Sequence, residues 1–361
     1  MNDSDINNPK HWIRSELRAL SAYHVQNAEN YIKLDAMENP FVWPKELRAK
    51  WATLISQTDV NRYPDPSAEP LKQHLRQTMS IPDDMSVMLG NGSDEIIQII
   101  AMTMAAPGKV ILSAEPGFVM YQMIATFCGM KYVGVPLDKT DFSLDMPAML
   151  QAMDEFHPSV VFLAYPNNPT GNLYSEQDVR RIIEAAPGLV VVDEAYAPFT
   201  DSTFMSALGE YDNLLVMRTV SKMGLAGLRL GLLAGPEAWL SEFEKLRLPY
   251  NINTLTQKSA AFALEHQDVF DQQTQIIREQ RERMLSALDG LTGLTVYPSQ
   301  ANFILVRTAK DQAKKIHTGL KEEGILIKLM AGAVVLEDCL RITIGTEEEN
   351  SQVIQALKKL L

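Results

Sequence analysis

The chain has 361 residues, of which 46% are hydrophobic, and its 33 Lys and Arg against 45 Asp and Glu leave a formal net charge of −12. That length exceeds what one core usually serves and that apolar share excludes bulk disorder, so two domains, or one large domain with a cap, are expected. The acidic balance argues against a nucleic-acid surface, no apolar run approaches the roughly 20 residues of a membrane span, and the opening MNDSDINNPKHW lacks a signal peptide's apolar core; the expectation is a cytoplasmic protein.

Along the first forty residues, Ile13, Leu17 and Leu20 follow a helical spacing, and this segment is expected to pack on the C-terminal part of the chain. From about 85 to 235, short apolar runs alternate with amphipathic stretches. The runs are VML at 87–89, VILS at 110–113, YVGV at 132–135, VVFLA at 160–164, LVVVD at 189–193, LLVMR at 214–218 and LRLGLLAG at 228–235. Most show no alternation, as strands buried on both faces do, and the helical stretches 94–105, 119–127, 146–156 and 176–186 suit crossovers. A mostly parallel, helix-covered seven-stranded sheet in a large α/β domain, 41–240, is predicted. Beyond Pro236 a polar helical region, about 253–289, precedes LTVYPSQANFILVR, GILIKLM, CLRITIG and a closing helix, so 241–361 reads as a smaller α+β domain that residues 1–40 would complete. Cys128 and Cys339 have no metal-ligand spacing around them, and no metal site is expected.

Open α/β sheets gather ligands at the carboxyl ends of their strands. At the first such end, GNGSDE runs a Gly-containing turn into a helix; the amides near Gly92, Ser93 and Asp94 would face an anion, or Ser93 and Asp94 would simply cap the helix. At the next, YPNNPTG holds Asn168 in a proline-pinned loop, where its amide would meet a ligand oxygen. Asp193 closes LVVVD, either as a strand-end cap or as a buried acid that needs a cationic partner. Lys222 stands among Thr219, Ser221, glycines and Arg229, a setting that would desolvate its amine and lower its pKa. A nucleophilic lysine, a phosphate cradle, a buried carboxylate and a loop amide in one place suit pyridoxal 5′-phosphate.

The ordered set GNGSDE, YPNNPTG, VVDEAY, SK with AGLRLG and LRITIGT resembles the fold-type I, aspartate-aminotransferase-like enzymes from about Leu20 to the C-terminus. LDAMENP, NRYPDP and the short SKMGLAGLR spacing make it look like their histidinol-phosphate aminotransferase branch. The resemblance implies that Lys222 is the Schiff-base lysine, that Asp193 partners the pyridine nitrogen, and that Tyr196 and Asn168 meet the 3′-oxygen. It implies that Gly92, Ser93, Asp94, Thr219, Ser221 and Arg229 surround the cofactor phosphate. Tyr63 would reach the phosphate in the other subunit of a homodimer. Arg341 would grip the carboxylate of glutamate or 2-oxoglutarate and also the phosphate of L-histidinol phosphate, and Tyr23 would help close the pocket. No membrane or nucleic-acid partner is implied.

Three positions depart from that pattern. Phe118 of EPGF stands where a ring-stacking tyrosine is usual, with Tyr121 close by; Met37 replaces the asparagine of LDANENP; and Lys328 stands where some members carry a second phosphate-binding arginine, which a point charge replaces only in part. A relaxed or shifted substrate choice is the expectation. The alternatives are an aromatic or broad-range aminotransferase, a threonine-phosphate decarboxylase, and a binding protein that keeps the fold without turnover. The histidines, the methionines and the Gln/Arg/Glu stretch at 272–283 read as structural or solvated positions.

Overall fold

The computed structural model describes residues 8–22, 26–330 and 332–361. Its strands form two sheets. A short β1 (Ile32–Leu34) precedes the large sheet, which is made of β2 (Ser86–Gly90), β3 (Val110–Glu115), β4 (Lys131–Pro136), β5 (Val160–Ala164), β6 (Leu189–Asp193), β7 (Leu214–Thr219) and β8 (Gly231–Gly235). The order across it is β2-β8-β7-β6-β5-β3-β4, with parallel pairing from β7 through β6, β5 and β3 to β4. The strand β8 runs antiparallel to both β7 and β2. Every residue of β5, β6 and β8 is buried, which is why those segments read as unbroken apolar runs.

The crossover helices carry the start and stop signals expected of their sequences. Asp145 caps Met146–Phe156 through the Ala148 amide at 3.0 Å with Pro147 in the first turn, and Ser175 caps Glu176–Ala185. Gly129, at φ 72°, ends Met120–Cys128 in the left-handed conformation that a glycine adopts without a Cβ clash.

The second sheet contains β9 (Leu294–Val296), β10 (Phe303–Thr308), β11 (Ile325–Leu329) and β12 (Cys339–Thr343), in the order β1-β11-β12-β10-β9. β1 joins it in parallel to β11, so a strand from the start of the chain completes a sheet built at its end. Its core is a separate cluster including Leu34, Phe303, Ile304, Ile327, Leu340 and Ile342, and this cluster also takes in Tyr196 from the turn after β6. The site described below therefore stands where two cores meet.

Three boundaries differ from the sequence reading. The run from Leu228 yields a strand only from Gly231, because Ala226–Leu228 is a 3-10 turn and Arg229 sits at φ 49°. The polar helical region is two helices, Thr254–Leu264 and Gln267–Asp289. Among the described residues near the N-terminus only Ser15–Arg18 is α-helical; Ile13 and Leu20 are exposed, and Arg14 donates to the Phe127 carbonyl at 2.5 Å, so this stretch lies on the Met120–Cys128 helix beside the large sheet, whereas 26–37 meets the second unit through β1, through Gln26 to Lys321 and through Met37 to Thr343. An apolar spacing without enough apolar neighbours does not sustain a helix in water. No helix among the described residues is long and apolar enough to cross a membrane.

Candidate active site

The strand exits singled out in the sequence converge. Asp193, 3% exposed at the end of β6, accepts from the Tyr121 hydroxyl at 2.7 Å and from the Ala195 amide at 3.1 Å. Burial pushes its pKa up to about 6, against the pull of the Tyr121 hydrogen bond. Burial drives the Tyr121 phenol well above its usual value, so it remains a donor. Tyr121 itself is fully buried, stacked on Phe162 with centroids 4.7 Å apart and edge-on to Phe118 at 5.5 Å. Its helical spacing with Ile124 and Ala125 marks it as core, and nothing local in the sequence shows that its hydroxyl meets an acid 72 positions away.

Lys222 lies in a π-helical turn, Ser221–Leu225, directly after β7. Its Nζ donates to the Ala36 carbonyl at 3.3 Å and lies 5.7 Å from the Tyr196 ring centroid. Desolvation, with Arg341 as the next cause, brings its pKa down to about 8. The turn is clamped from the N-terminal segment: the Asn39 side chain donates to the Met223 carbonyl at 3.2 Å and to Gln273 at 3.1 Å. Tyr196, 4% exposed, packs edge-on against Phe303, and burial raises its phenol pKa.

At the β2 exit, Gly92 takes φ 86° and starts Ser93–Met104 with no side-chain cap, so the first amides of that helix are left for another acceptor. Arg229 lies over this turn, its Nη2 3.5 Å from Asp94, and a Cβ at Gly92 would come within 2.6 Å of the same nitrogen. A Cβ at Gly231 would come within 2.8 Å of the Gly92–Ser93 backbone, so a glycine there lets β8 approach the helix start. Thr219 Oγ is 2.9 Å from both Ser221 Oγ and the Leu230 carbonyl and accepts from the Ser221 amide at 3.1 Å, which fixes the two hydroxyls against each other. Uncapped amides, a guanidinium and small hydroxyls are the donor set an exposed phosphate requires.

Beyond the lysine opens a cavity of about 440 Å³, lined among others by Met37, Glu115, Phe118, Asn168, Lys328 and Arg341. Arg341, 8% exposed in β12, donates to Asn168 Oδ1 at 2.6 Å and to the Asp35 carbonyl at 3.0 Å, and its guanidinium lies 5.4 Å from the Phe303 ring centroid. Lys328 is directly opposite Arg341 in the antiparallel β11–β12 register. Two facing cations repel each other, and both line the same cavity, a pairing that suits a bound anion. Met37 is held at φ 52°, a backbone region that favours asparagine; its amide donates to Thr343 Oγ at 3.1 Å and its carbonyl accepts from Asn302 at 2.9 Å, so the polar ties at this position run through the main chain. A second cavity, about 430 Å³, touches Thr219 and Met223, but both of its cations are paired, Arg218 with Glu194 at 2.7 Å and Arg278 with Asp201 at 2.8 Å, which leaves Asp271 as its remaining charge.

Tyr63 stands apart from this group. It is 80% exposed, stacks on Tyr250 with centroids 4.5 Å apart, and does not line its own chain's cavity. Tyr23 lies outside the described residues.

Residues 29–357 match the model of the class I and II aminotransferases. The chain is 56% identical over 348 residues to histidinol-phosphate aminotransferase 2 of Nitrosococcus oceani, covering 96% of each, and 49% identical to the histidinol-phosphate aminotransferase of Chromobacterium violaceum, covering 96% of this chain and 97% of that one. Its fold superposes with a TM-score of 0.86, at 24% identity, on histidinol-phosphate aminotransferase from Sinorhizobium meliloti in complex with pyridoxal-5′-phosphate, covering 96% of this chain and 97% of that one. The chain belongs to the class I and II aminotransferase family and, within it, to the histidinol-phosphate aminotransferases.

Proposed function

We propose that the protein moves the amino group of L-histidinol phosphate to 2-oxoglutarate, giving 3-(imidazol-4-yl)-2-oxopropyl phosphate and L-glutamate, with pyridoxal 5′-phosphate as cofactor. The observation that carries this reading is the enclosed, pKa-lowered amine of Lys222, which feels Arg341 of the cavity as well as Arg229 and Asp94 of the helix start. The cofactor fits the residues present: Asp193 is a buried acid that needs a cation, and the helix start at Gly92 with Arg229 is a cradle that needs an anion.

Bound there, the cofactor supplies an aldehyde carbon for amines and a ring that takes up electrons when the substrate Cα–H bond breaks. Lys222 would hold it covalently and then carry the Cα proton at Nζ; a pKa of about 8 leaves part of the amine uncharged near neutral pH and able to accept that proton. Asp193, steadied by Tyr121, would supply the negative charge that keeps the cofactor's ring nitrogen protonated. Ser93, Asp94, Thr219, Ser221 and Arg229 would hold its phosphate, Phe118 would pack on its ring, and Tyr196 and Asn168 would offer it hydrogen bonds. Arg341, with Lys328, anchors the substrate phosphate and, in the return half-reaction, a carboxylate of 2-oxoglutarate.

The working unit in this reading is a cytoplasmic homodimer in which Tyr63 completes the partner's phosphate cradle. Its support is the exposure of Val60 (70%), Tyr63 (80%) and Leu248 (73%), large apolar groups that a partner surface would cover. Mixing Lys222→Ala and Tyr63→Ala chains tests it, because a shared site gives one intact centre per heterodimer and a measurable return of activity, whereas self-contained sites give none beyond the parents' average.

The reaction is tested by absorbance titration of the holoenzyme with L-histidinol phosphate, L-glutamate and L-phenylalanine. Conversion of the cofactor band by micromolar histidinol phosphate, reversed by 2-oxoglutarate, is the expected result. Conversion by phenylalanine alone would replace this substrate with an aromatic amino acid, and release of CO₂ without need of an oxo acid would make the enzyme a decarboxylase.

A further inference from the structure

Glu115 is the sole carboxylate among the described residues lining the substrate cavity. It closes β3, three positions before Phe118, and is only partly exposed. Its side chain lies across β4 at Gly134, where a Cβ would overlap Glu115 Oε2, so the space for this carboxylate exists because the neighbouring strand carries a glycine there. A structural acid in that position would be paired. Among the described residues the Glu115 carboxylate makes no hydrogen bond or ion pair; Lys131 stands at the other end of β4, opposite Val110 and over the Phe156 ring, and Lys328 in the same cavity forms no ion pair with it. The rest of this wall is neutral: Gln122, and Tyr132, whose phenol is pushed up to about 12 by burial and by the Glu115 charge beside it. A carboxylate that faces the cavity without a protein partner is available to accept from a donor that a ligand brings.

We propose that Glu115 recognises the imidazole end of the substrate by accepting a ring N–H, while Arg341 and Lys328 hold the phosphate end. The inference rests on the histidinol-phosphate reading above and gives it a specificity element. The substrate brings an anion at one end and a ring with N–H donors at the other, and the cavity offers two cations and one unpaired carboxylate to receive them. Glutamate and 2-oxoglutarate have no ring donor for this group, so Glu115 would serve one of the two half-reactions and discriminate among the amines that enter it.

The test uses holoenzyme with Glu115→Ala and Glu115→Gln, and compares L-histidinol phosphate with L-phenylalaninol phosphate, which keeps the amine, the phosphate and a flat ring but has no ring N–H. The expected result is a roughly ten- to hundredfold fall in the kcat/KM ratio of the first substrate to the second in Glu115→Ala, the scale of one lost hydrogen bond to a charged group, with a smaller fall in Glu115→Gln, which keeps an acceptor oxygen. A ratio unchanged in both variants, or both substrates falling in parallel, overturns the role of Glu115 while leaving the substrate reading intact. A wild-type enzyme that processes phenylalaninol phosphate but not histidinol phosphate overturns the substrate reading itself, and this role with it.

Discussion

Asp193 and Asp94 are two carboxylates near one site, held in opposite ways. Asp193 is 3% exposed, fixed by a phenol and an amide, and has its pKa raised to about 6. Asp94 shares its charge with Arg229 at 3.5 Å, with the two side chains 44% and 49% exposed, and its upward shift by burial is countered by Arg229 and Lys222. Water screens the second pair and not the first. The comparison teaches that the Asp193 end of this site is dry and electrostatically strong, while the Gly92–Arg229 end relies on many weak, partly solvated donors, none of which dominates.

That contrast can be broken most severely at the lysine. Lys222→Ala should reduce transamination by at least about a thousandfold, read in single-turnover assays with L-histidinol phosphate. The same change should make the cofactor-free protein more stable at pH 7, because the folded pKa of about 8 lies below the ordinary 10.5 and the folded state carries the charged amine at a cost. The gain in stability that the wild type shows as pH rises through that interval should vanish in the variant, as denaturant melts at several pH values would show.

Asp193→Asn should lower kcat by on the order of a hundredfold or more. It also has a signature in the cofactor-free protein. The folded pKa of about 6 lies above the ordinary 3.8, so the folded state binds more protons between these values; stability present below pH 4 is lost as pH rises toward 6, by roughly 3 kcal/mol. The asparagine variant should show a flatter profile across that window. Tyr121→Phe is a milder cut: losing the donated hydrogen bond should raise the Asp193 pKa further, move the acid limb of the pH–rate profile upward and lower kcat about three- to tenfold. The smallest change is expected at Asp94→Asn, less than about 1 kcal/mol in stability, because its ion pair is half exposed. An Asp94 effect as large as that of Asp193 would erase the distinction between the two ends.

The large sheet was readable because its central strands are buried on both faces, and neither a half-exposed strand nor an amphipathic helix produces continuous apolar runs such as Val160–Ala164 and Leu189–Asp193. The start of β8 was not, since Arg229 takes a left-handed conformation that its type rarely adopts and that becomes intelligible only from the packing at Gly92. Lys222, Asp193 and Asn168 stand out in sequence as polar residues beside apolar strands and pinned turns, whereas Arg341 is singled out only by the resemblance of LRITIGT to the family, and the fold brings Arg341 to Asn168 and within reach of the Lys222 charge. Tyr121 and Glu115 do not stand out. Tyr121 is indistinguishable from core on a helix, and Glu115 resembles an ordinary strand end until the glycine on the neighbouring strand is known.

The N-terminal strand bears on how the lysine is held. β1 is hydrogen-bonded into the second sheet, and within a few residues Ala36 accepts from Lys222 and Asn39 holds the Met223 carbonyl. The segment that follows a strand of one core is thus tied to the reactive turn of the other. The acceptor of the Lys222 amine and the clamp on its turn are therefore both set by where β1 sits in the second sheet, and Asn39→Ala would release the turn from that strand while leaving β1 paired.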